Sequence, residues 1–280
     1  MKLIESKVEL IEQQPGLEGV YKQIELAGRT CYKSEDKITE DSAKAFVDRM
    51  IGSKHGAMLE HGTVYLTAYD NYAEDLLKYQ TNKYSKCKSY TEYLEDGKSI
   101  KVCVTTNLRV LVENNWLDDL KYIGVPTELH EKRITARFTC DRGVSHEIVR
   151  HRVMSFAQES TRYCNYSKDK FGCELTFIKP SWYDKTLENK HGGFEKFLED
   201  AQSLYTSLLD QGYFPQEARA CLPNALKTEI VVTGFESDWE HFFSLRSPKY
   251  GAQGVHPDMA KLADGLYEKL NSVNTDNKSE

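Results

Sequence analysis

The strongest constraint on the fold is the clean alternation of apolar and polar side chains in residues 134–140, ITARFTC. Because successive side chains of a strand point to opposite faces, this pattern predicts a β-strand with one apolar face. Residues 194–209 instead repeat apolar side chains at the i, i+3, i+4, i+7 spacing of an amphipathic helix. A chain with both patterns is neither all-helical nor all-β. The simplest fold class is one α/β or α+β domain.

Weaker patterns of the same two kinds recur along the rest of the chain. Strands are predicted at residues 2–10, 63–69, 100–104, 175–178 and 230–233. Helices are predicted at residues 17–26, 39–50, 108–112, 215–220, 239–245 and 257–270. No repeat and no glycine-serine linker divides the sequence, so residues 1–280 are predicted to form a single domain. The polar residues 271–280 are expected to be a frayed tail.

The chain is acidic overall, with a formal net charge of −6. Such a surface repels the phosphates of nucleic acids and anionic lipids, so generic nucleic-acid binding is disfavoured. The N-terminal stretch MKLIESKVEL carries charges among its apolar residues and lacks the uninterrupted apolar region of a secretory signal. No window approaches the run of about 18 apolar residues that a membrane-spanning helix needs. We therefore expect a cytoplasmic protein that binds no membrane.

Cysteine and histidine spacing gives no metal site. The seven cysteines are scattered and none forms a Cys-x-x-Cys pair, which disfavours a zinc ribbon and a redox dithiol. His146 and His151 are five residues apart, and His55 and His61 are six apart. Two metal ligands on one helix face are about four residues apart, so we predict no bound metal.

Arginine is unevenly distributed along the chain. Six of the eleven arginines lie within residues 133–162. Residues 150–152, Arg-His-Arg, are followed by Ser160 and Arg162, so guanidinium and hydroxyl donors lie close together in the sequence. These donors suit a phosphate or a carboxylate, and a small anionic ligand is the first interpretation. The alternative is an exposed charged face whose arginines pair with nearby acidic residues.

The usual glycine-rich phosphate loops are absent. Neither Gly-x-Gly-x-x-Gly nor Gly-x-x-x-x-Gly-Lys-Ser/Thr occurs, so side chains would have to hold a nucleotide. Gly-x-Ser-x-Gly is also absent, which leaves a serine nucleophile unsupported.

The arginine-rich segment resembles the signature of the flavin-dependent thymidylate synthases. The matching residues are Arg150-His151-Arg152, seven further residues, Ser160, and then Arg162-Tyr163. Four other blocks match in the order that the family uses, at residues 27–32 (AGRTCY), 59–61 (LEH), 218–223 (ARACLP) and 243–246 (FSLR). The resemblance extends over about residues 17–268, so it implies the fold as well as the site.

The resemblance implies an α/β (α+β) fold with a mainly antiparallel sheet and packed helices. It also implies a homotetramer whose active sites are shared between subunits. Members of the family convert dUMP to dTMP with FAD as cofactor. Methylenetetrahydrofolate donates the carbon, and NADPH reduces the flavin, which provides the hydride. All of these ligands are anionic, which accounts for an arginine cluster in an acidic chain.

The resemblance also assigns residues to ligands. The implied FAD contacts are Cys31, His61, Arg150, His151, Arg152 and His241. The implied dUMP contacts are Glu147, Gln158, Glu159, Ser160, Arg162, Arg219 and Arg246. Arg246 is the implied catalytic residue, because its guanidinium would polarise a uracil carbonyl and make the ring reactive. Ser160 is assigned to nucleotide binding, since an unactivated hydroxyl is a poor nucleophile.

The chain departs from the compact family pattern in three places. Between His61 and Arg150 lie 88 residues, more than short members carry, and the tyrosine-rich segment at about 69–122 is the predicted insertion. Because long surface insertions cost little stability, we expect it to decorate the surface; an effect on folate or NADPH access is the alternative. His241 replaces a common asparagine and Glu147 a common glutamine, and both can still form hydrogen bonds.

Two other functions stay open. A non-catalytic nucleotide or folate sensor on the same scaffold would keep the phosphate-binding arginines, but the retained His61, His151 and Arg246 disfavour it. An RNA-binding protein would use the basic segment with Phe156 and Tyr163 as stacking groups. The acidic net charge and the lack of an extended basic stripe disfavour that function.

Overall fold

Nine strands form three separate sheets within residues 1–94, 97–184 and 193–276, which are the residues that this computed structural model describes. In chain order the strands are β1 (Lys2–Ile4), β2 (Lys7–Ile11), β3 (Thr63–Tyr69), β4 (Lys86–Leu94), β5 (Gly97–Asn107), β6 (Arg133–Asp141), β7 (Ser155–Gln158), β8 (Thr176–Ile178) and β9 (Lys227–Phe235). The α-helices are α1 (Gly16–Tyr32), α2 (Ser42–Gly52), α3 (Gly56–Leu59), α4 (Ala73–Leu77), α5 (Leu108–Glu113), α6 (Arg142–Ile148), α7 (Phe194–Asp210), α8 (Pro215–Ala218), α9 (Glu236–Arg246) and α10 (Pro257–Asp276).

The largest sheet has four antiparallel strands in the order β2-β6-β9-β7. Strand β9 lies inside it, paired with β6 on one side and with β7 on the other. Ala136, Phe138 and Cys140 of β6 are fully buried and pack in one cluster with Trp239 and Phe242 of α9. The strand that alternation predicts here is confirmed, together with its apolar face.

The second sheet contains β3, β5 and β4, antiparallel and in that order. Val20 and Ile24 of α1 share a buried cluster with Val64 and Leu66 of β3. The same cluster includes α2 and further side chains of the segment predicted as an insertion, residues 69–122. The expectation that this segment decorates the surface is wrong, because its apolar side chains complete the core around α1.

The two ends of this detour from the main sheet are tied together. The chain enters the second sheet at Thr63 and returns to the first at Arg133. Nη1 of Arg133 donates to the Glu60 carbonyl over 2.9 Å. The Gln13 amide donates to the Thr63 carbonyl and accepts from the Thr63 backbone N–H, each over 2.8 Å. The segment at residues 63–132 therefore begins and ends at the same place in the structure.

The predicted fold class is confirmed, since helices pack on mainly antiparallel sheets. The strand predicted at 63–69 is β3, and the helix predicted at 194–209 is α7 with one residue more. The single strand predicted at residues 2–10 is wrong, because the structure has two strands there, β1 and β2. Strand β1 pairs in parallel with β8, whereas β2 pairs antiparallel with β6, so the chain changes partner between them.

The C-terminal helix is longer than the sequence predicts. Helix α10 continues to Asp276 instead of ending at Leu270. Its last turns therefore occupy part of the predicted frayed tail. Residues 277–280 of that tail lie outside the described residues.

Gly28 of α1 lies against the ring of Phe46 in α2. A β-carbon at this position would come within 2.4 Å of the Phe46 Cζ. That ring is 3% exposed, and the guanidinium carbons of Arg29 and Arg49 lie 4.9 and 5.2 Å from its centroid, so it cannot move aside freely. The contact explains why a residue without a side chain is needed here.

We expect Gly28→Ala to lower the free energy of unfolding by about 1–2 kcal/mol, because overpacking outweighs the better helix propensity of alanine. Urea unfolding measures the difference. Gly52→Ala is the matched control, since a β-carbon on this helical glycine meets no atom within 4 Å. A Gly28→Ala protein as stable as the Gly52→Ala protein would contradict the close contact.

Candidate functional site

The arginine-rich segment follows helix α6. The Asp141 side chain caps this helix by accepting a hydrogen bond from the Val144 backbone N–H over 2.8 Å. In the turn after the helix, Arg150 and Arg152 are exposed and His151 is buried between them. Within the described residues neither arginine has a carboxylate partner. The turn therefore presents two uncompensated positive charges to solvent.

His151 meets Arg246 at the C-terminal end of α9. Nε of Arg246 donates to Nε2 of His151 over 3.1 Å, and Nη1 donates to a Glu147 carboxylate oxygen over 2.5 Å. The His151 ring stands edge-on to Phe242, with centroids 4.8 Å apart, and the His241 ring lies 6.2 Å away. The structure thus brings together four residues that the resemblance assigned to two different ligands.

The protonation of His151 follows from these contacts. Burial lowers the pKa of His151 to about 4, and the charges of Arg246 and His241 act in the same direction. The ring is therefore neutral at pH 7. Because Nε2 accepts the hydrogen bond from Arg246, the ring proton is on Nδ1. A neutral His151 fixes the Arg246 guanidinium without competing for the charge of Glu147.

A cavity of about 90 Å³ lies beside the residues that follow the Arg-His-Arg turn. Val153 and Ser155 line it together with Glu60, Arg133 and Asp238, so its wall carries charges of both signs. Burial lowers the pKa of Arg133 to about 10, which leaves it charged at neutral pH. The cavity lies at the N-terminal end of α9, about 15 Å along the helix from its C-terminal arginine.

The segment at residues 158–162 is held by contacts with two helices. Nε2 of Gln158 donates to the Ser145 hydroxyl of α6 over 2.8 Å. The backbone N–H of Ser160 donates to the Cys31 carbonyl in the last turn of α1 over 2.9 Å. These bonds fix the backbone of the segment relative to both helices.

Two arginines lie at the outer side of this segment. Nε of Arg162 donates to the Gln216 side chain over 3.3 Å, and Nη1 of Arg219 donates to the Thr161 hydroxyl over 3.4 Å. Both arginines are exposed, and neither has a carboxylate partner in the described parts of the chain. They are a second pair of uncompensated charges, held by neutral groups.

Glu159 points inward, unlike its neighbours. It is 2% exposed, and its carboxylate accepts hydrogen bonds from Lys227 and from the Tyr166 hydroxyl, each over 2.8 Å. Lys227 also pairs with Glu229 at 2.7 Å, and Glu229 pairs with Lys33 at 3.0 Å. Although burial raises the pKa of Glu229, the two lysines hold it at about 2. This charge network ties the segment to β9 and to the end of α1.

Two predicted cofactor contacts are enclosed by protein. His61 is completely buried, and its Nδ1 lies 2.9 Å from the Thr233 hydroxyl of β9. Burial and the charge of Arg133 lower the pKa of His61 to about 3. The Cys31 thiol faces the Met58 sulfur at 3.9 Å, and burial raises its pKa to about 12. The structure presents neither side chain at a surface.

The predicted residues therefore form two groups with a buried layer behind them. The first group, on α6, its following turn and α9, contains Glu147, Arg150, His151, Arg152, His241 and Arg246. The second group, at the end of β7, in the residues that follow it and directly after α8, contains Gln158, Ser160, Arg162 and Arg219. The buried layer contains Cys31, His61 and Glu159. Sequence reasoning missed Lys33, Tyr166, Lys227 and Glu229; the one usable signal was the i, i+2 spacing of Lys227 and Glu229, which places them on one strand face.

The described part of the chain contains no group of three or more histidine, cysteine and acidic side chains that could hold a metal ion. None of the helices within residues 1–94, 97–184 and 193–276 is long and apolar enough to cross a membrane.

We expect His61→Gln to flatten the pH dependence of stability. His61 has a pKa of about 3 in the folded protein and an ordinary value of 6.5, so unfolding takes up a proton as the pH falls below 6.5. Its stabilising contribution is present above pH 6.5 and is lost as the pH falls towards the folded value. The free energy of unfolding should fall by about 1.4 kcal/mol per pH unit more steeply in the wild type than in the variant.

Urea unfolding between about pH 5.5 and 4 measures both slopes. The control is His256→Gln, which makes the same substitution at an exposed position. Equal slopes for the wild type and His61→Gln would contradict a buried neutral His61.

Comparisons with known proteins support the family that the sequence resembles. A family model described as "Thymidylate synthase complementing protein" matches residues 75–273. The flavin-dependent thymidylate synthase of Pyrococcus furiosus is 36% identical over 107 residues, which are 38% of this chain and 43% of that protein. The enzyme of the same name from Geobacter sulfurreducens is 33% identical over 155 residues, which are 54% of this chain and 65% of that protein.

Among solved structures, a UMP/dUMP methylase, PolB from Streptomyces cacaoi bound with 5-Br dUMP, is similar with a TM-score of 0.46 at 17% identity, covering 97% of this chain and 93% of that one. The matched segments span less than two thirds of the two sequence relatives. The family model, in contrast, covers well over half of this chain. The chain therefore belongs to the thymidylate synthase complementing protein family.

Proposed function

We propose that the protein is a flavin-dependent thymidylate synthase. It converts dUMP to dTMP, with methylenetetrahydrofolate as the carbon donor and NADPH as the reductant of FAD. The observation that carries the proposal is the set of exposed arginines without carboxylate partners in an otherwise acidic chain. Family membership and the names of the sequence relatives support the same reaction.

The first group of residues fits a flavin dinucleotide. Arg150 and Arg152 are exposed and uncompensated in the described residues, as the binding of a pyrophosphate requires. His241 is exposed, its ring lies 6.2 Å from that of His151, and it can donate to the ring system. When bound, FAD reduced by NADPH supplies the hydride that completes the methyl group.

The second group fits the nucleotide substrate. Arg162 and Arg219 supply two guanidinium groups for the phosphate of dUMP, and the Ser160 hydroxyl supplies a further donor. Gln158 orients this segment through Ser145. No step of the proposed reaction requires Ser160 as a nucleophile, and no base lies within hydrogen-bond distance of its hydroxyl in the described contacts.

Arg246 is the proposed catalytic residue. Two of its nitrogens are already engaged by His151 and Glu147, which leaves Nη2 to donate to a uracil carbonyl. A fixed positive charge at that oxygen withdraws electron density from the ring as negative charge develops on it. His151 and Glu147 are positioning residues, because they hold the guanidinium before the substrate arrives.

The enclosed residues support the site from behind. His61 joins the start of the second sheet to β9, and Glu159 holds the nucleotide segment on Lys227. Cys31 accepts the Ser160 backbone N–H through its carbonyl, so its buried thiol need not touch the cofactor. We include these three residues as structural members of the site.

The proposed assembly is a homotetramer with shared active sites, in the cytoplasm. The resemblance to the family supports this assembly.

The first test is the visible spectrum of the purified protein. We expect a flavin band that NADPH bleaches anaerobically in the presence of dUMP. Arg150→Ala should lower the flavin-to-protein ratio after desalting by about tenfold, because a charged contact to phosphate is lost. Arg49→Ala, which removes another exposed arginine, is the control. A protein that stays colourless after FAD is supplied would favour the sensor function instead.

The second test concerns Arg246. We expect Arg246→Ala to keep its flavin but to lower dTMP formation by about 10²–10³-fold, because the charge at the uracil carbonyl is lost. Tritium release from labelled dUMP measures turnover, and the flavin band measures the cofactor. Arg246→Lys should recover little, since lysine lacks the planar fork that His151 and Glu147 hold. Near-normal turnover in Arg246→Ala would refute the assignment.

A further inference from the structure

Strand β4 is a long free edge of the second sheet. It pairs with β5 through all nine of its residues, and the register is unbroken by any bulge. The opposite edge of that sheet is partly covered, because Ile123 bridges to Leu66 of β3 and Gly124 donates to the Tyr65 carbonyl. On the outer edge of β4, no backbone hydrogen bond to another described residue is present. The segment at residues 88–93 is exposed throughout.

Proteins usually protect such an edge from pairing with other chains. Proline, a bulge, a short strand and charged side chains, above all lysine, are the common devices. Strand β4, KCKSYTEYL, has no proline, no glycine and no bulge. Its charges are instead divided, with Lys86 and Lys88 in the first half and Glu92 in the second. All three lie on one face, because they are separated by even numbers of residues.

We propose that β4 pairs antiparallel with β4 of a second copy of this chain, about a two-fold axis at Tyr90. This register pairs all nine residues and places Lys88 of each copy opposite Glu92 of the other. Parallel pairing in register would put lysine against lysine and is disfavoured. A two-fold contact uses both free edges at once, so it forms one closed interface of the proposed homotetramer and does not extend into a fibre. The product is a six-stranded sheet across two subunits.

Exposed aromatic side chains support the same contact. Tyr69, Lys101 and Tyr90 form one row across the three strands. Nζ of Lys101 lies 5.8 Å from the centre of the Tyr69 ring, and both tyrosines are 52% exposed. Tyrosine is enriched at protein interfaces, where its ring is covered and its hydroxyl stays wet. In the proposed pair this row continues through Tyr90 of both copies.

The test uses a cysteine placed on the proposed axis. We expect Tyr90→Cys, in a Cys173→Ser background that removes the exposed native thiol, to form a covalent dimer under mild oxidation. Directly opposed residues of an antiparallel pair lie close enough for a disulfide. The matched control is Tyr72→Cys in the same background, a 64% exposed position outside the edge. Tyr90→Cys that cross-links no more than Tyr72→Cys would overturn the proposal.

A charge exchange tests the register independently. Lys88→Glu and Glu92→Lys each place like charges opposite one another, so each should weaken the association about tenfold. At a protein concentration near the dissociation constant of the wild-type contact, each single variant should therefore have about half the particle mass. The double variant Lys88→Glu/Glu92→Lys should restore the mass, because the pairs are reversed but intact. Mass photometry measures all four proteins.

Restoration by the double variant supports the proposed register, and equal masses for all four proteins overturn it. An edge that accepts a strand from a different protein would give neither the cross-link nor the change of mass. The experiment does not use turnover, so its failure would leave the proposed reaction untouched.

Discussion

The pairing of β9 with a strand on each side is the constraint on which the site depends. Its register with β6 and β7 decides which side chains face the segment at residues 158–162 and which face the core. Lys227 and Glu229 lie on one face and bind Glu159 and Lys33. A slip of one residue would turn both charges towards the opposite face and break these ion pairs. The position of the site is therefore set by backbone hydrogen bonds before any ligand is present.

The site separates two kinds of charge. The buried carboxylate of Glu159 and the largely buried one of Glu229 have lysine partners, which is what low exposure demands of an ionised group. The arginines at the surface of the site are held by neutral partners or by none within the described residues. Arg246 lies between the two kinds, since Glu147 balances its charge and a neutral His151 fixes its direction.

The sequence predicted those strands and helices whose residues show a clear periodicity of apolar side chains. Strand β6 and helix α7 are read from side-chain periodicity, and their burial follows it. The break between β1 and β2 is not local, because it arises when the chain exchanges a distant partner, β8, for β6. The second sheet was also misjudged. Its exposed tyrosines suggest a surface segment, but the fully buried Tyr79 and Leu76 lie among the core residues.

The resemblance named residues of the candidate site, but it did not predict their burial or their contacts. The resemblance named His151, Glu147 and Arg246, and the structure joins them by hydrogen bonds. It also named His61 and Glu159, whose burial no spacing in the sequence reveals. Whether a side chain faces a ligand or a neighbouring strand depends on contacts between distant parts of the chain. The pairs His61–Thr233 and Glu159–Lys227, for example, are separated by 172 and 68 residues. A single sequence carries little information about such contacts.

The exposed arginines without carboxylate partners are sensitive to the ionic strength of the solution. Exposed charges are screened over a Debye length of about 8 Å at physiological ionic strength, whereas buried pairs are screened much less. Ionic strength therefore acts on the two parts of the molecule differently. Added salt weakens the attraction of Arg150, Arg152, Arg162 and Arg219 for an anion but leaves the lysine–glutamate frame beneath them nearly unchanged. Ionic strength therefore changes the attraction between the proposed site and an anionic ligand, and it does not change the shape of that site.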